Sequence, residues 1–206
     1  QAHADQQPGK SYWPALDLCL HQRLPRLLHV SELAPDTTII RAHLERLFRR
    51  ARLEYPNGRC EIAWADARGA VNSAETFGLD PDSLDNAAAC AARYNAAGRN
   101  TYVGVNPRKS TSPPFGRASA ADVEIAFVQF IDGDTIETAS LLRMAPVPYS
   151  WAVTTGRIPN PRVQPYWELD EPTRNLPAWS ARQLALAEFF HADHVIDPPR
   201  IMRLAG

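Results

Sequence analysis

Two aspartates, Asp132 and Asp134, flank a single glycine directly after the apolar run VEIAFVQFI. In an extended strand, residues two apart point to the same side, so both carboxylates would project together if the strand continues to Asp134. Carboxylates so placed repel each other unless a cation lies between them, and Mg²⁺ or Mn²⁺ prefers such oxygen ligands. The alternative is a solvent-exposed turn, which the local pattern alone favours, since Asp-Gly is a common hairpin sequence.

Further acidic and basic residues occur near the C-terminus, in the stretch HADHVIDPPRIMRL. Asp193 and Asp197 are candidates for a third carboxylate beside the aspartate pair, which would complete a two-metal site. Arg200 and Arg203 are candidates for binding phosphate groups. The sequence leaves open which of the two acids would serve.

The stretch VTTGRIPNPRVQPYWEL combines a glycine turn with arginines. Thr155, Gly156 and Arg157 end one predicted strand, and Arg162 precedes the next, on which Gln164 lies. Backbone amides at a glycine turn and guanidinium groups can together hold a triphosphate. The alternative interpretation is an exposed, proline-rich hairpin loop.

The segment TYVGVNPRKS is a weaker candidate for binding a polyanion. A short predicted strand is followed there by Asn106, Arg108 and Lys109, a modest basic patch that a solvated loop would also give. The whole chain has 22 Lys+Arg and 23 Asp+Glu residues. This balance neither suggests nor excludes a nucleic-acid partner.

Helical and strand patterns predict the elements that must position these residues. Asp36 is a predicted N-cap for a helix in which Ile40, Leu44 and Phe48 recur at helical spacing. Pro165 indicates that the strand after the glycine turn is an edge strand or is bulged there. Further helices are predicted over 80–98, 135–144 and 177–194, and strands over 60–66, 71–77, 101–106, 122–132, 149–155, 163–169 and 198–204. This order indicates an α+β domain with a mostly antiparallel sheet.

Length and composition set the remaining limits. A chain of 206 residues fits one domain, which we place at 34–206, preceded by an arm or short helices at 1–33. Three widely spaced cysteines without a C-x-x-C motif make a disulfide framework or a structural zinc site improbable and favour a reducing cytoplasm. No stretch approaches the length of a membrane span. The first and last residues suggest a fragment of a longer protein.

Taken together, four stretches resemble the archaeo-eukaryotic primase superfamily, and within it the RepB-like or bifunctional primase–polymerase domains of plasmid and phage replication proteins. The resemblance runs from about residue 34 to the C-terminus. The stretches that carry it are YVGVNPR (102–108), FVQFIDGD (127–134), VTTGR with RVQPYWEL (153–169) and DPPRIMRLAG (197–206).

The resemblance implies DNA-templated nucleotidyl transfer, as primer synthesis or DNA polymerisation, by a two-metal mechanism. Two Mg²⁺ or Mn²⁺ ions would be held by Asp132, Asp134 and a third carboxylate, Asp197 or else Asp193. The implied nucleotide-binding residues are Thr155, Gly156, Arg157, Arg162, Gln164, Arg200 and Arg203. The implied template-binding residues are Asn106, Arg108 and Lys109.

The resemblance also implies a fold and partners. The expected fold is an RRM-like, mostly antiparallel sheet with flanking helices, joined to an N-terminal α/β unit. The expected partners are a single-stranded DNA template, NTPs or dNTPs, and a helicase or ATPase portion of the same polypeptide. Two positions depart from the family pattern, since Gln164 stands where a histidine is expected and Gly133 where an apolar residue is common.

Two other functions are compatible with the same residues. The departures at Gln164 and Gly133 motivate a binding module of a replication initiator or helicase that recognises single strands without synthesis. A metal-dependent phosphodiesterase would use the same acids to degrade a primer rather than extend it.

Overall fold

The structure, a computed structural model, describes residues 34–206, and the arm predicted at 1–33 lies outside these residues. Each predicted helix and strand of the described region is present, with bounds that differ by a few residues. The helices are α1 (Thr37–Glu54), α2 (Pro81–Ala96), α3 (Ile136–Arg143) and α4 (Leu176–Phe189). The strands are β1 (Cys60–Trp64), β2 (Ser73–Phe77), β3 (Thr101–Gly104), β4 (Ala126–Phe130), β5 (Trp151–Gly156), β6 (Arg162–Thr173) and β7 (Ile201–Arg203).

The first sheet has the strand order β2-β1-β3-β7, and every pair in it is antiparallel. Helix α2 packs on this sheet, and α1 packs on α2. As predicted, Asp36 caps α1, because its carboxylate accepts hydrogen bonds from the backbone N–H groups of Thr38 and Ile39. The apolar stripe of α1 is buried in the main core together with Ile62 and Val103 of the sheet.

The second sheet has the order β4-β6-β5 and is also antiparallel. Helix α4 packs against β4. Trp179 is fully buried there and donates its indole N–H to the Val128 carbonyl at 2.9 Å. Gln183 bonds to both the N–H and the carbonyl of Phe130. These bonds fix the strand that leads to the aspartate pair.

Strand β6 is the central strand of its sheet, so the expectation that Pro165 marks an edge or a bulge is wrong. The Pro165 carbonyl accepts a bond from Ile131 N–H at 3.3 Å, but proline has no N–H to return. The regular part of β4 ends at Phe130 for this reason. Pairing resumes at Gly133, which exchanges two backbone hydrogen bonds with Val163.

Arg108 is in the interior rather than on the surface. It is 1% exposed, lies 3.9 Å from Glu61 (also 1% exposed), and donates to the Gly116 carbonyl. Arg117 contacts the same carboxylate. Asn106 is buried too and donates to the Pro198 carbonyl at 3.0 Å. Both side chains are buried in this fold, so the structure does not support the assignment of Arg108 and Asn106 to template binding.

Lys109, the third residue of that predicted patch, is partly exposed, and its ammonium group donates to the Ala121 carbonyl at 2.7 Å. Its contact with a template stays a prediction. Among the described helices, none combines the length and apolar character that a bilayer span requires.

Candidate active site

A cavity of about 540 Å³ lies between the end of β4, strands β5 and β6, and the edge strand β7 of the other sheet. Both predicted aspartates line it, so the strand alternation predicted their common direction correctly. The side chains that matter for chemistry come from six segments of the chain. These side chains are those of Asn95, Tyr102, Asp132, Asp134, Thr154, Thr155, Arg162, Gln164 and Arg203.

Asp132 is half-buried and carries charge that the protein compensates only in part. Burial raises the pKa of its carboxyl group above the ordinary value, and the nearby charges of Asp134 and Asp193 raise it further. A hydrogen bond from the Gln164 amide, at 3.2 Å, and the charge of Arg203 oppose this rise. The site therefore favours a positive partner for Asp132, either a proton or a cation.

The resemblance implies Asp197 as the third carboxylate, but the structure does not bring Asp197 to the cavity. Asp197 forms a 2.6 Å ion pair with Arg200, and neither residue lines the cavity. Asp193 is nearer, because its backbone N–H donates to the Asp132 carbonyl at 3.3 Å and its charge acts on the Asp132 carboxyl. Asp193 is thus the nearer of the two acids, although its side chain does not line the cavity, and Asp197 is paired elsewhere.

The carboxylate oxygens of Asp132 and Asp134 suit a hard divalent cation, but protein side chains alone would not complete its coordination. Across residues 34–206, no three histidine, cysteine or carboxylate side chains converge as a metal cluster. Mg²⁺ is commonly held by one or two carboxylates, with waters and substrate phosphates as its other ligands. Asp132 and Asp134 both line the cavity, and the charge of Asp132 is only partly compensated, so the pair matches that pattern.

Gln164 forms part of the cavity floor at the position where the family pattern has a histidine. It is 4% exposed, and while its amide nitrogen donates to Asp132, its carbonyl oxygen has no hydrogen-bond partner in the protein. The buried hydroxyl of Tyr166 also lacks a partner. Buried polar atoms are rarely left unbonded, and eight others in residues 34–206 also lack a partner, so we expect ordered water at such atoms.

Positive charge reaches the cavity from two arginines. Arg162 and Arg203 both line it, and within the described residues neither forms an ion pair with a carboxylate. The Arg162 guanidinium lies against Gly156, where a side chain would occupy the same space. Arg157 is exposed and does not line the cavity. Two of the four arginines predicted to bind phosphate therefore line the cavity, and their contacts with phosphate stay a prediction.

Gly133 is required by the close approach of α3. A β-carbon at this position would lie 2.6 Å from the Cγ2 atom of Thr138. Thr138 is fully buried and donates its hydroxyl to the His191 carbonyl at 3.2 Å. The glycine therefore lets the helix dock directly over the backbone between the two aspartates.

Replacing Gly133 with alanine should destabilise the domain by about 1–3 kcal/mol, the usual cost of overpacking. Thr138→Ser removes the conflicting methyl group and keeps the hydroxyl, so the double variant should recover much of the loss. Urea denaturation of the wild type, both single variants and the double variant measures this. A Gly133→Ala protein as stable as the wild type would contradict the packing explanation.

Some lining residues were not predicted. Tyr102 lies within one of the resembling stretches, and its place beside Arg203 could have been suspected. Residues 204–206 also lie within a resembling stretch, whereas Asn95 on α2 gave no local signal, because only the folded chain brings it to the cavity.

Comparisons with protein-family models and with curated protein sequences found no match. Among solved structures, the chain is similar to the AEP domain of the cyanophage S-2L primase-polymerase, with a TM-score of 0.56 and 21% identity over 84% of each chain. It is also similar to the catalytic domain of primase RepB′ in complex with initiator DNA (TM-score 0.49, 18% identity, 81% of this chain and 76% of that one). The described part of the chain has the archaeo-eukaryotic primase fold.

Proposed function

We propose that this domain is a nucleotidyltransferase that extends or initiates a strand on a nucleic-acid template. The observation that carries the proposal is the charge arrangement in the cavity. Asp132 and Asp134 line one wall, the charge of Asp132 is only partly compensated, and Arg162 and Arg203, which form no ion pair within the described residues, line the same space. A metal–triphosphate complex is a ligand that complements both groups at once.

The primase fold supports this assignment. The similar S-2L domain is described as a primase-polymerase, which makes the same reaction type the first choice for a cavity of this composition. In the proposed reaction, Asp132 and Asp134 would hold divalent ions. When bound, such ions would lower the pKa of the attacking 3′-hydroxyl and stabilise the charge on departing pyrophosphate.

The chain's own residues would orient the reactants. Gln164 holds the Asp132 carboxylate through its amide and fixes the direction in which the oxygens point. Arg162 and Arg203 would bind non-bridging phosphate oxygens with their guanidinium forks. The Thr155 hydroxyl, at the end of β5, donates to the Arg162 carbonyl at 3.4 Å and so supports the turn that presents this arginine.

A template-dependent extension assay tests the proposal. The protein is mixed with single-stranded homopolymer templates, with and without a primer, and with labelled ribo- or deoxynucleotides in Mg²⁺ or Mn²⁺. We expect metal-dependent product only with the nucleotide complementary to the template. Shortening of the primer would instead indicate a phosphodiesterase. Template affinity without product and without metal-dependent nucleotide binding would indicate a binding module.

A further inference from the structure

A second cavity, of about 300 Å³, lies at the β2–β1 side of the four-stranded sheet. It is lined by aromatic rings, among them Trp64, Tyr94 and Phe115. Tyr94 and Asn95 are neighbours on α2, and Asn95 lines the active-site cavity. Neighbouring residues of this helix therefore line the two cavities.

The rings of the second cavity are held in fixed positions. Trp64 and Tyr94 stack face to face, with centroids 3.8 Å apart and planes 12° apart. Phe115 is 68% exposed, yet its backbone pairs with Glu75 of β2, and the next residue, Gly116, donates to the Ala74 carbonyl. An exposed phenyl ring on a paired backbone segment is preorganised for stacking on a planar ligand.

Arginines accompany these rings. The Cζ atoms of Arg93 and Arg99 lie 4.9 and 5.8 Å from the centroid of the Tyr94 ring. Arg203, which lines the active-site cavity, stands 5.1 Å from the Tyr102 ring and bonds to Asn100 at 2.6 Å. Each cavity thus has a tyrosine ring in contact with at least one guanidinium group.

The charge on these arginines is not neutralised. In the part of the chain that the structure describes, Arg93 and Arg99 form no ion pair with a carboxylate, whereas every arginine of α1 does. Those paired arginines are Arg41, Arg46, Arg49, Arg50 and Arg52. Glu75, the acid that lines the second cavity, accepts a contact from the Cys90 thiol at 3.7 Å. Arg93 and Arg99 thus place two positive charges beside the rings, and Glu75 places one negative charge in the cavity itself.

We propose that Tyr94, Phe115, Arg93 and Arg99, here called the aromatic–arginine strip, bind an unpaired segment of single-stranded nucleic acid, while the buried Trp64 ring supports Tyr94 from behind. A base stacks on Phe115 within the second cavity, while Arg93 and Arg99 contact the flanking phosphates. Stacking rings combined with a basic surface are what single strands require, because every base has a π-face and every linkage is anionic. That the bound strand is the template rests on the proposed function, whereas the binding itself does not.

Fluorescence anisotropy with a labelled oligothymidine tests the strip. Phe115→Ala should weaken binding about 5- to 150-fold, the effect of losing one base–aromatic stack. Arg99→Ala should reduce the slope of log K against log[salt] by about 0.7, as for one lost phosphate contact with a single strand. The matched controls are Phe189→Ala, which removes another exposed phenyl (55%), and Arg182→Ala, which removes another exposed arginine without a carboxylate partner in the described region. Both controls should bind like the wild type.

The outcomes separate this inference from the proposed function. Unchanged affinity in Phe115→Ala, or an equal loss in Phe189→Ala, would overturn the strip even in a protein that extends primers. A wild type that makes no product but binds oligothymidine through Phe115 and Arg99 would overturn the proposed reaction and support the strip. Equal affinity for duplex DNA, independent of Phe115, would also overturn it.

Discussion

Replacing Asp132 with asparagine should lower the rate of nucleotide incorporation by about 10³-fold or more, since metal-held charge stabilisation in the transition state is worth several kcal/mol. The same variant should be more stable than the wild type at neutral pH in metal-free buffer. Burial and the charges of Asp134 and Asp193 make the ionised Asp132 carboxylate costly in the folded state. Asparagine keeps the shape and removes that charge.

The pH dependence has a definite sign. Because the pKa of Asp132 is raised in the folded domain, this group contributes stability below the pKa of an unfolded aspartate. That contribution is lost as the pH rises through the folded pKa. The stability advantage of Asp132→Asn should therefore grow as the pH rises through this window. Thermal denaturation followed by circular dichroism at a series of pH values, with a chelator present, measures it.

Mn²⁺ provides a second measurement on the same variant. A cation that binds only the folded state raises the Tm by mass action. We expect a concentration-dependent rise in the wild type and a much smaller one in Asp132→Asn. Opposite changes in stability and activity distinguish loss of a functional charge from simple damage to the fold.

Asp197→Asn is the matched control for this substitution. It loses only an exposed ion pair with Arg200, which is worth about 1 kcal/mol at most, and it should incorporate nucleotides normally. Equal loss of incorporation in Asp197→Asn would make Asp197 the third carboxylate after all. Normal incorporation in Asp132→Asn would contradict the proposed role of the pair.

Local patterns predicted the parts of the site that depend on strand geometry. The two-residue period placed Asp132 and Asp134 on one wall, because pairing with β6 continues to Gly133. The sequence could not decide between Asp193 and Asp197, because both follow α4 in an irregular segment without the periodicity of a helix or strand. A backbone hydrogen bond to Asp132, made only in the folded chain, brings Asp193 close.

Long-range partners account for the other failures. Arg108 follows a short strand and resembles a surface residue in sequence, but Glu61 on a neighbouring strand provides the buried charge that draws it inward. Pro165 suggested a strand edge because proline removes one ladder bond. In this sheet the only bond lost at Pro165 is the one that its N–H would have donated to the Ile131 carbonyl, and β6 is the central strand. Neither arrangement is visible without the partner strand.

Truncating Arg108 to alanine should cost about 3–5 kcal/mol of stability, the typical effect of removing one partner from a buried ion pair. This is a large part of the stability of an ordinary domain. Glu61 would keep Arg117 but would lose the buried guanidinium that lies beside it. Lys109→Ala, which removes a partly exposed neighbour with one backbone hydrogen bond, should cost well under 1 kcal/mol.

Acidification should return part of the stability that Arg108→Ala loses. Burial already raises the pKa of Glu61, and the two arginines oppose that rise, so removing one of them raises it further. The cost of the ionised carboxylate then disappears as the pH falls below the folded pKa, where Glu61 is protonated. Urea denaturation of both variants at neutral and mildly acidic pH measures this difference. An Arg108→Ala protein of unchanged stability but weakened affinity for single-stranded DNA would instead place Arg108 on the template.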